Sequence, residues 1–356
     1  KGVQPIELLV DHWEGIPYFF ATKKGNLPFD ILSAAFFLLT RYEEYLHHEA
    51  HPSTPFAATD SVGYEYHFLE LPIVDIWVEK FRNALVEKYP NLTFAPREAS
   101  TVSVIEVAKA FKYKHKGILR TLLRGLTYFF TLQWTQLGEL LRVVMGRSKD
   151  PFDFYEALID FFQERKLHPT FFFLLGDYNY YDQGLSYNNV RYKYLIKHIA
   201  DYAIVSVLGS YDATSREEIL LKERERMSNI INRPVRRFRA NNNLLPLPEL
   251  YQHLAATEFK EDYTMGYLSH IGFRAGTCTP YIFYDIRLEV QIPIVVHSFA
   301  LHWQHIDKQY TKETLYLIET IKQQVADLKG DFISIFSPEY LSKAPNRFSL
   351  YKKVVN

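Results

Sequence analysis

Glu106 ends an apolar strand. In "TVSVIEVAKAF", Thr101 to Phe111, a period of two puts Val102, Val104 and Glu106 on one face and Ser103, Ile105 and Val107 on the other. A lone carboxylate after two valines is either one member of an acid pair, fit to take a proton or hold a metal, or a strand-end residue that meets water. Other residues invite similar questions. His297, His302 and His305 crowd into "VVHSFALHWQHI", and with Glu106 they could ligate a metal if the stretch turned them together. His47, His48 and His51 open a polar loop, where a solvated helix end is the simpler expectation than a closed metal shell. Cys278 in "RAGTC" has no histidine at a recognisable spacing, so a small buried thiol outweighs a nucleophile. "GDYNYYDQGLSYNN", 176–189, carries the Tyr and Asn that stack on sugar rings and bond hydroxyls, and equally suits an ordinary loop. "RPVRRFR", 233–239, could meet an anionic glycan, but alternation makes a solvated strand edge the commoner meaning.

These residues need a scaffold, and 356 residues suffice for two domains or one barrel with an extension. With 47% hydrophobic residues, a large core is expected and disorder is not. Lys+Arg 41 against Asp+Glu 41 argues against nucleic acid as a partner. The single cysteine excludes an intrachain disulfide framework and a CxxC zinc site, which fits a reducing compartment. No signal peptide is visible, so a cytoplasmic or membrane-peripheral location is expected, with the compartment unassigned. The apolar stretch 117–146 is interrupted by Arg120, Arg124, Gln133, Gln136, Glu139 and Arg142, so it does not span a membrane. It is expected to pack as one or two amphipathic helices on the domain, the alternative being peripheral contact with a membrane or partner.

The first 98 residues are expected to form an α/β unit. It has a helix over 28–46, N-capped by Asp30, and another over 71–90. From 99 to 356 strands alternate with helices. Strands are expected at 101–107, 169–177, 202–210, 233–242, 271–278, 290–297 and 331–337. Helices are expected within 117–146 and at 152–167, 187–200, 248–259 and 311–329, with "SREE", 215–218, as a capping box opening one that runs to about 231. Such alternation predicts a parallel sheet or barrel, with any site at the C-terminal strand ends. Those ends carry Glu106, Asp177, Leu208, Asn241, Arg274, His297 and Ser337.

The stretches "FDILSAAFFLLTRYEEYL", "FFFLLGDYNYYD", "EDYTMGYLSHIGFRAGTCTPYIFYD" and "GDFISIFSPEYL" resemble the polysaccharide deacetylase (NodB-homology, carbohydrate esterase family 4-like) superfamily. The likeness is to a Bacteroidota-type branch with an extra N-terminal α/β domain. The resemblance implies a distorted (β/α) barrel and a hydrolase that removes acetyl groups from N-acetylated sugars. It also implies a divalent metal, usually zinc, held by Asp and His, with an Asp as base and a late His as acid. Against that pattern Val104 stands at the base and Glu106 at the metal Asp. Leu208 and Asn241 stand at two histidines, and Ser337 stands where an acid is implied. The catalytic set is therefore expected to be lost and no metal is expected. Arg274, deprived of the partner at 104 that the resemblance implies, needs another, such as Glu106, Asp262 or a ligand carboxylate; a buried structural salt bridge is the first expectation and ligand contact the second.

The first expectation is accordingly a catalytically degenerate homologue that binds glycan or scaffolds envelope polysaccharide assembly. Its cleft would be lined from among Glu106, Asp177, Asn241, Asp262, Arg274 and Ser337. The alternatives are an active hydrolase with a rebuilt metal site and a protein-interaction module. A rebuilt enzyme predicts a cleft carboxylate with a raised pKa, a glycan binder predicts exposed aromatics around a polar pocket, and an interaction module predicts a large exposed apolar patch.

Overall fold

A computed structural model gives the structure and describes residues 3–50, 56–308 and 311–355, the side chains of 47–50 excepted. His47, His48 and His51 thus fall outside the described side chains.

Eleven strands are described: β1 Asp11–Trp13, β2 Ile16–Tyr18, β3 Ser100–Val107, β4 Thr170–Leu174, β5 Ile204–Gly209, β6 Arg237–Ala240, β7 Glu261–Asp262, β8 Tyr281–Asp285, β9 Val290–Val296, β10 Leu301–His302 and β11 Asp331–Phe336. β1 and β2 form a small antiparallel ribbon, and the other nine lie in one sheet in the order β10-β11-β3-β4-β5-β6-β7-β9-β8. All neighbours in that sheet are parallel except β8 and β9. Among the described residues the ladder runs from β10 to β8, so the architecture is a mixed α/β sheet of mostly parallel strands.

Strand β4 shows why the centre of the sheet forms. Its five residues "TFFFL" are all buried, which only a strand covered on both faces allows. Phe171 and Phe173 face the helices and join the main core, with Ile105, Val107, Val207 and Phe238. Phe172 and Leu174 face the other way and meet Val104, Leu208, Tyr263, Phe299, Ile333 and Ile335 in a second apolar cluster. Residues of β3, β4, β5 and β11 come together there because the sheet curls around them. That inner cluster is the floor on which the strand-end residues stand.

The N-terminal part has its own aromatic core, built on Phe19, Phe29, Phe37 and Trp77, with the indole N–H of Trp77 donating to Pro17 O at 3.0 Å. Asp30 caps its first helix as expected, accepting from Leu32 N and Ser33 N at 3.1 and 3.0 Å. The helix expected over 28–46 is two helices, Ile31–Leu39 and Tyr42–Ala50. They break at Arg41, whose φ is 57°. That kink turns the Arg41 guanidinium inward onto Glu44 and Glu43, both at 2.7 Å.

Three other segments differ from expectation. Segment 271–278 is not a strand. Gly272 (φ 133°) and Gly276 (φ 65°) break the extension, and a Cβ on Gly272 would lie 2.3 Å from Leu69 O. The close approach lets Phe273 N donate to Leu69 O at 2.8 Å, tying this segment to the N-terminal part. Ser215 does not cap its helix: the helix is Glu217–Ile231, with Arg216 at the cap position and no side-chain cap bond. The 117–146 stretch forms two helices, Ile118–Phe130 and Trp134–Val144; Leu140 and Val143 of the second are buried against Tyr113, while the first has no buried residue and leaves its apolar stripe exposed.

Candidate functional site

Glu106 is the last inward-facing residue of β3, one register step above Val104. Three N–H donors converge on it. Arg239, at the end of β6, donates Nε to Oε2 at 3.1 Å. His302, at the end of β10, lies with Nε2 3.1 Å from Oε1, and Trp303 donates its indole N–H to the same oxygen at 2.6 Å. The other histidine nitrogen, Nδ1, accepts from Gln304 N at 3.2 Å. It is therefore unprotonated, and the proton sits on Nε2, pointing at Glu106. Burial also favours neutral His302, and Glu106 opposes it less than fully. For Glu106 burial pushes the carboxyl up, but the influence of His302 and Arg239 and the hydrogen bonds outweigh it and hold the group well below the usual carboxylate range.

Arg239 is fully buried. It also donates to Tyr263 O at 2.8 Å, and its guanidinium lies 4.9 Å from the centre of the Phe299 ring. It is fixed from several sides and provides the positive charge that Glu106 needs.

Above this clamp opens a cleft of about 250 Å³. Its wall is polar: Gln183, Asn241, Asn242 and Gln304, with Tyr181 and Trp303 as aromatic surfaces. Lys109 and Glu339 also line it and face each other at 3.9 Å. Tyr181 stacks on Tyr211 at 4.1 Å and 12°, and Tyr180 beside it is exposed. Asn241 donates to Asp182 Oδ1 at 2.9 Å, while the other Asp182 oxygen accepts from Tyr211 N at 2.8 Å. Asp182, buried and absent from the sequence-derived candidates, thus braces both the Asn241 and the tyrosine walls.

Of the candidate cleft residues, Glu106 and Asn241 line this space. Ser337 is buried and caps the helix Pro338–Leu341, accepting from Tyr340 N at 3.2 Å. Asp177 lies out on the surface, paired with Lys222 and Arg226 at 3.0 and 2.8 Å. Asp262 faces the main core, where Tyr251 and Thr264 bond it and burial raises its carboxyl. Arg274 pairs with neither Glu106 nor Asp262. It makes a bidentate contact with Glu44 at 2.8 and 2.6 Å, a buried structural salt bridge that also involves Arg41. Burial raises the Glu44 carboxyl, but Arg274 and Arg41 prevail and hold it at about 2.

The three nearby histidines do not converge. His297 lies 3.3 Å from Glu261, His305 bonds Ser269 O at 2.7 Å, and His302 alone of the three reaches Glu106. Cys278 is buried, with its thiol pushed up by burial and by Asp75, against a nucleophilic role.

A divalent metal of the kind the resemblance implies does not fit these residues. Both Glu106 oxygens already face N–H donors, both His302 nitrogens are engaged, and the Arg239 guanidinium stands beside the carboxylate. Val104 and Leu208 are wholly buried among apolar side chains. Among the described residues no group of three His, Cys, Asp or Glu side chains is arranged to hold a metal ion.

Residues 1–90 match the model of a family of unknown function, DUF7033. No curated protein gives a significant match. Similar solved structures include a "putative polysaccharide deacetylase" from Mycobacterium smegmatis, at 14% identity over 74% of this chain and 85% of that one, TM-score 0.47. They also include a CE4-family pseudoenzyme from Bacillus anthracis, at 10% identity over 73% of this chain and 62% of that one, TM-score 0.36. A mutant of that pseudoenzyme with restored enzymatic activity is similar at 11% identity, 73% and 64% coverage, TM-score 0.32.

Proposed function

We propose that this chain is a catalytically degenerate relative of the polysaccharide deacetylases whose cleft binds a neutral glycan, in a binding or scaffolding role in envelope polysaccharide assembly. The observation that carries this is the state of Glu106. A general base needs a lone pair free to face its substrate and a proton affinity near the working pH. Glu106 has its oxygens turned to Arg239, His302 and Trp303 and is held ionised by them. The chemistry of this donor set also supports function without a divalent metal.

The cleft itself supports glycan binding. Gln183, Asn241, Asn242 and Gln304 offer both donors and acceptors, as hydroxyls and acetamido groups require. Tyr181 and Trp303 give apolar ring faces of the kind on which sugar rings stack. Lys109 and Glu339 balance each other, which favours an uncharged ligand.

The test is calorimetric titration of the full chain with N-acetylated oligosaccharides, together with an acetate-release assay in the presence of zinc. Binding is expected, with affinity lowered about tenfold or more by Tyr181→Ala, because a stacked ring contributes about 1–3 kcal/mol in comparable aromatic platforms. No acetate release is expected. Release that disappears in Glu106→Ala would overturn the assignment, and so would the absence of binding to every oligosaccharide tried.

A further inference from the structure

The helices Ile118–Phe130 and Trp134–Val144 form a hairpin with one covered and one bare side. Leu140 and Val143 turn inward and pack with Tyr113, Tyr128 and Leu137. On the outer side Ile118, Leu119, Leu122, Leu126, Phe129 and Phe130 follow helical spacing along one stripe, and they are between 49% and 82% exposed. Trp134, Leu141 and Val144 extend the same exposure onto the second helix. A continuous stripe of this size marks an interaction surface and not an ordinary solvated face.

Charge identifies what the surface meets. Although the chain is neutral overall, residues 107–149 contain nine Lys or Arg and a single acid, Glu139. That acid is taken up by Lys112 Nζ at 2.7 Å and Tyr113 OH at 2.8 Å. Beside the stripe lies a hollow of about 250 Å³ lined by Lys112, Lys116, Arg120 and Arg124. Arg120 is held flat over Tyr178, 3.7 Å from the ring centre, and Arg124 donates to Lys112 O at 3.0 Å, so two of these cations are fixed in place. Burial and then the charges of Arg124 and Lys109 pull the Lys116 amine down to about 8, with Asp150 opposing them only in part.

We propose that this hairpin lies in the plane of an anionic phospholipid bilayer, its Leu/Phe stripe in the acyl boundary and Lys116, Arg120 and Arg124 on headgroup phosphates. An apolar face fringed by Lys and Arg is the composition of an in-plane interfacial helix. Among the described residues no helix is long and apolar enough to cross a membrane, so the seat is peripheral. A second copy of the chain fits worse, because a two-fold contact would set the basic rim against itself.

The test is co-sedimentation of the full chain with vesicles of phosphatidylcholine alone and of phosphatidylcholine with phosphatidylglycerol. Trp134 emission is followed in parallel, with Trp134→Phe as the control. Binding is expected to require phosphatidylglycerol, weaken with salt and blue-shift Trp134. Leu119→Asp with Phe130→Asp should abolish it, and these exposed positions leave the fold intact, as circular dichroism will verify. Lys116→Gln and Arg120→Gln should each weaken it about fivefold, the effect of roughly one surface charge. Three results would each overturn the proposal: no vesicle binding, equal binding to both compositions, or self-association in sedimentation equilibrium that Leu119→Asp removes while vesicles remain unbound.

Discussion

Glu106→Gln separates a structural clamp from a retained catalytic acid. The side chains of Arg239 and Glu106 are 1% and 12% exposed, so the pair is nearly out of water. Glutamine keeps the shape but replaces one acceptor oxygen with an NH2 donor. Either the amide nitrogen faces Arg239 Nε, or it faces the N–H groups of His302 and Trp303. In both cases a donor meets a donor, and Arg239 stays buried without its counter-charge. Breaking a buried pair from one side costs about 3–5 kcal/mol. The slight exposure of the carboxylate places the expected loss near the low end, at about 3 kcal/mol. The assay is urea unfolding at pH 7, with the loss read as a lower midpoint at unchanged m-value. The pH dependence has a definite sign. Because the folded carboxyl lies below its ordinary value of 4.5, its contribution is complete above that pH and shrinks as pH falls beneath it. The gap between the two proteins should narrow accordingly in acid. Glu106→Leu combined with Arg239→Met removes both charges and should restore most of the loss. An E106Q protein as stable as its parent at pH 7, or more so, would refute the clamp, since that is the behaviour of an acid kept for chemistry at a cost in stability.

Two further substitutions probe buried charge elsewhere. Burial raises Glu223 from 4.5 to about 7 despite hydrogen bonds from Ser210, so its folded form keeps a proton that the unfolded chain has lost by neutral pH. Stability should therefore fall by about 3 kcal/mol as pH rises from 4.5 to 7, and Glu223→Gln should recover that amount in urea melts at pH 8 while gaining nothing at pH 4.5. A pH-independent gain would refute the account. Arg274→Met strips Glu44 of its bidentate partner but leaves it Arg41, so a loss of about 3 kcal/mol is expected. Because Arg274 fastens the 266–278 segment to the N-terminal helices, the exposed 91–99 connection should also be cleaved faster in limited proteolysis. Unchanged cleavage would show that the contact does not hold the two parts together.

The sheet was legible where strands are long and apolar. β3, β4, β5, β9 and β11 announce themselves by alternation or by unbroken buried runs, and the Asp30 cap follows from residue type alone. The two-residue strands β7 and β10 are too short for any periodicity to reveal, yet β10 carries His302 to Glu106. The kink at Arg41 and the irregular path of 271–278 serve tertiary contacts, so local pattern favoured a longer helix and an extra strand. The candidate site was half legible. Glu106 and Asn241 followed from strand ends. The partners of Glu106 lie 133 and 196 residues away at Arg239 and His302, and Glu44 lies 230 residues from Arg274. No spacing rule reaches that far. A lone buried carboxylate says that a counter-charge must exist, but not which arginine supplies it.

The clamp and the hairpin belong to one region. Gln183 lines both the polar cleft and the basic hollow. The loop that carries it places Tyr178 under Arg120 on one side and Tyr181 in the cleft on the other. Lys109 opens the basic stretch and also stands at the cleft, facing Glu339. Charge is distributed accordingly. At the cleft, Arg239 is matched by Glu106 and Lys109 by Glu339, so the field that a ligand meets there is nearly neutral. On the hairpin side, Glu139 is the only acid among nine cations between 107 and 149. Coulombic attraction to an anionic surface therefore acts on the hairpin and hardly on the cleft, and beyond about 10 Å salt screens what remains. Seated by its apolar stripe, the chain would hold the cleft beside the headgroup layer with its polar wall unspent, because Lys116, Arg120 and Arg124 belong to the hollow and not to the cleft, and the two meet through Lys109 and the 178–183 loop.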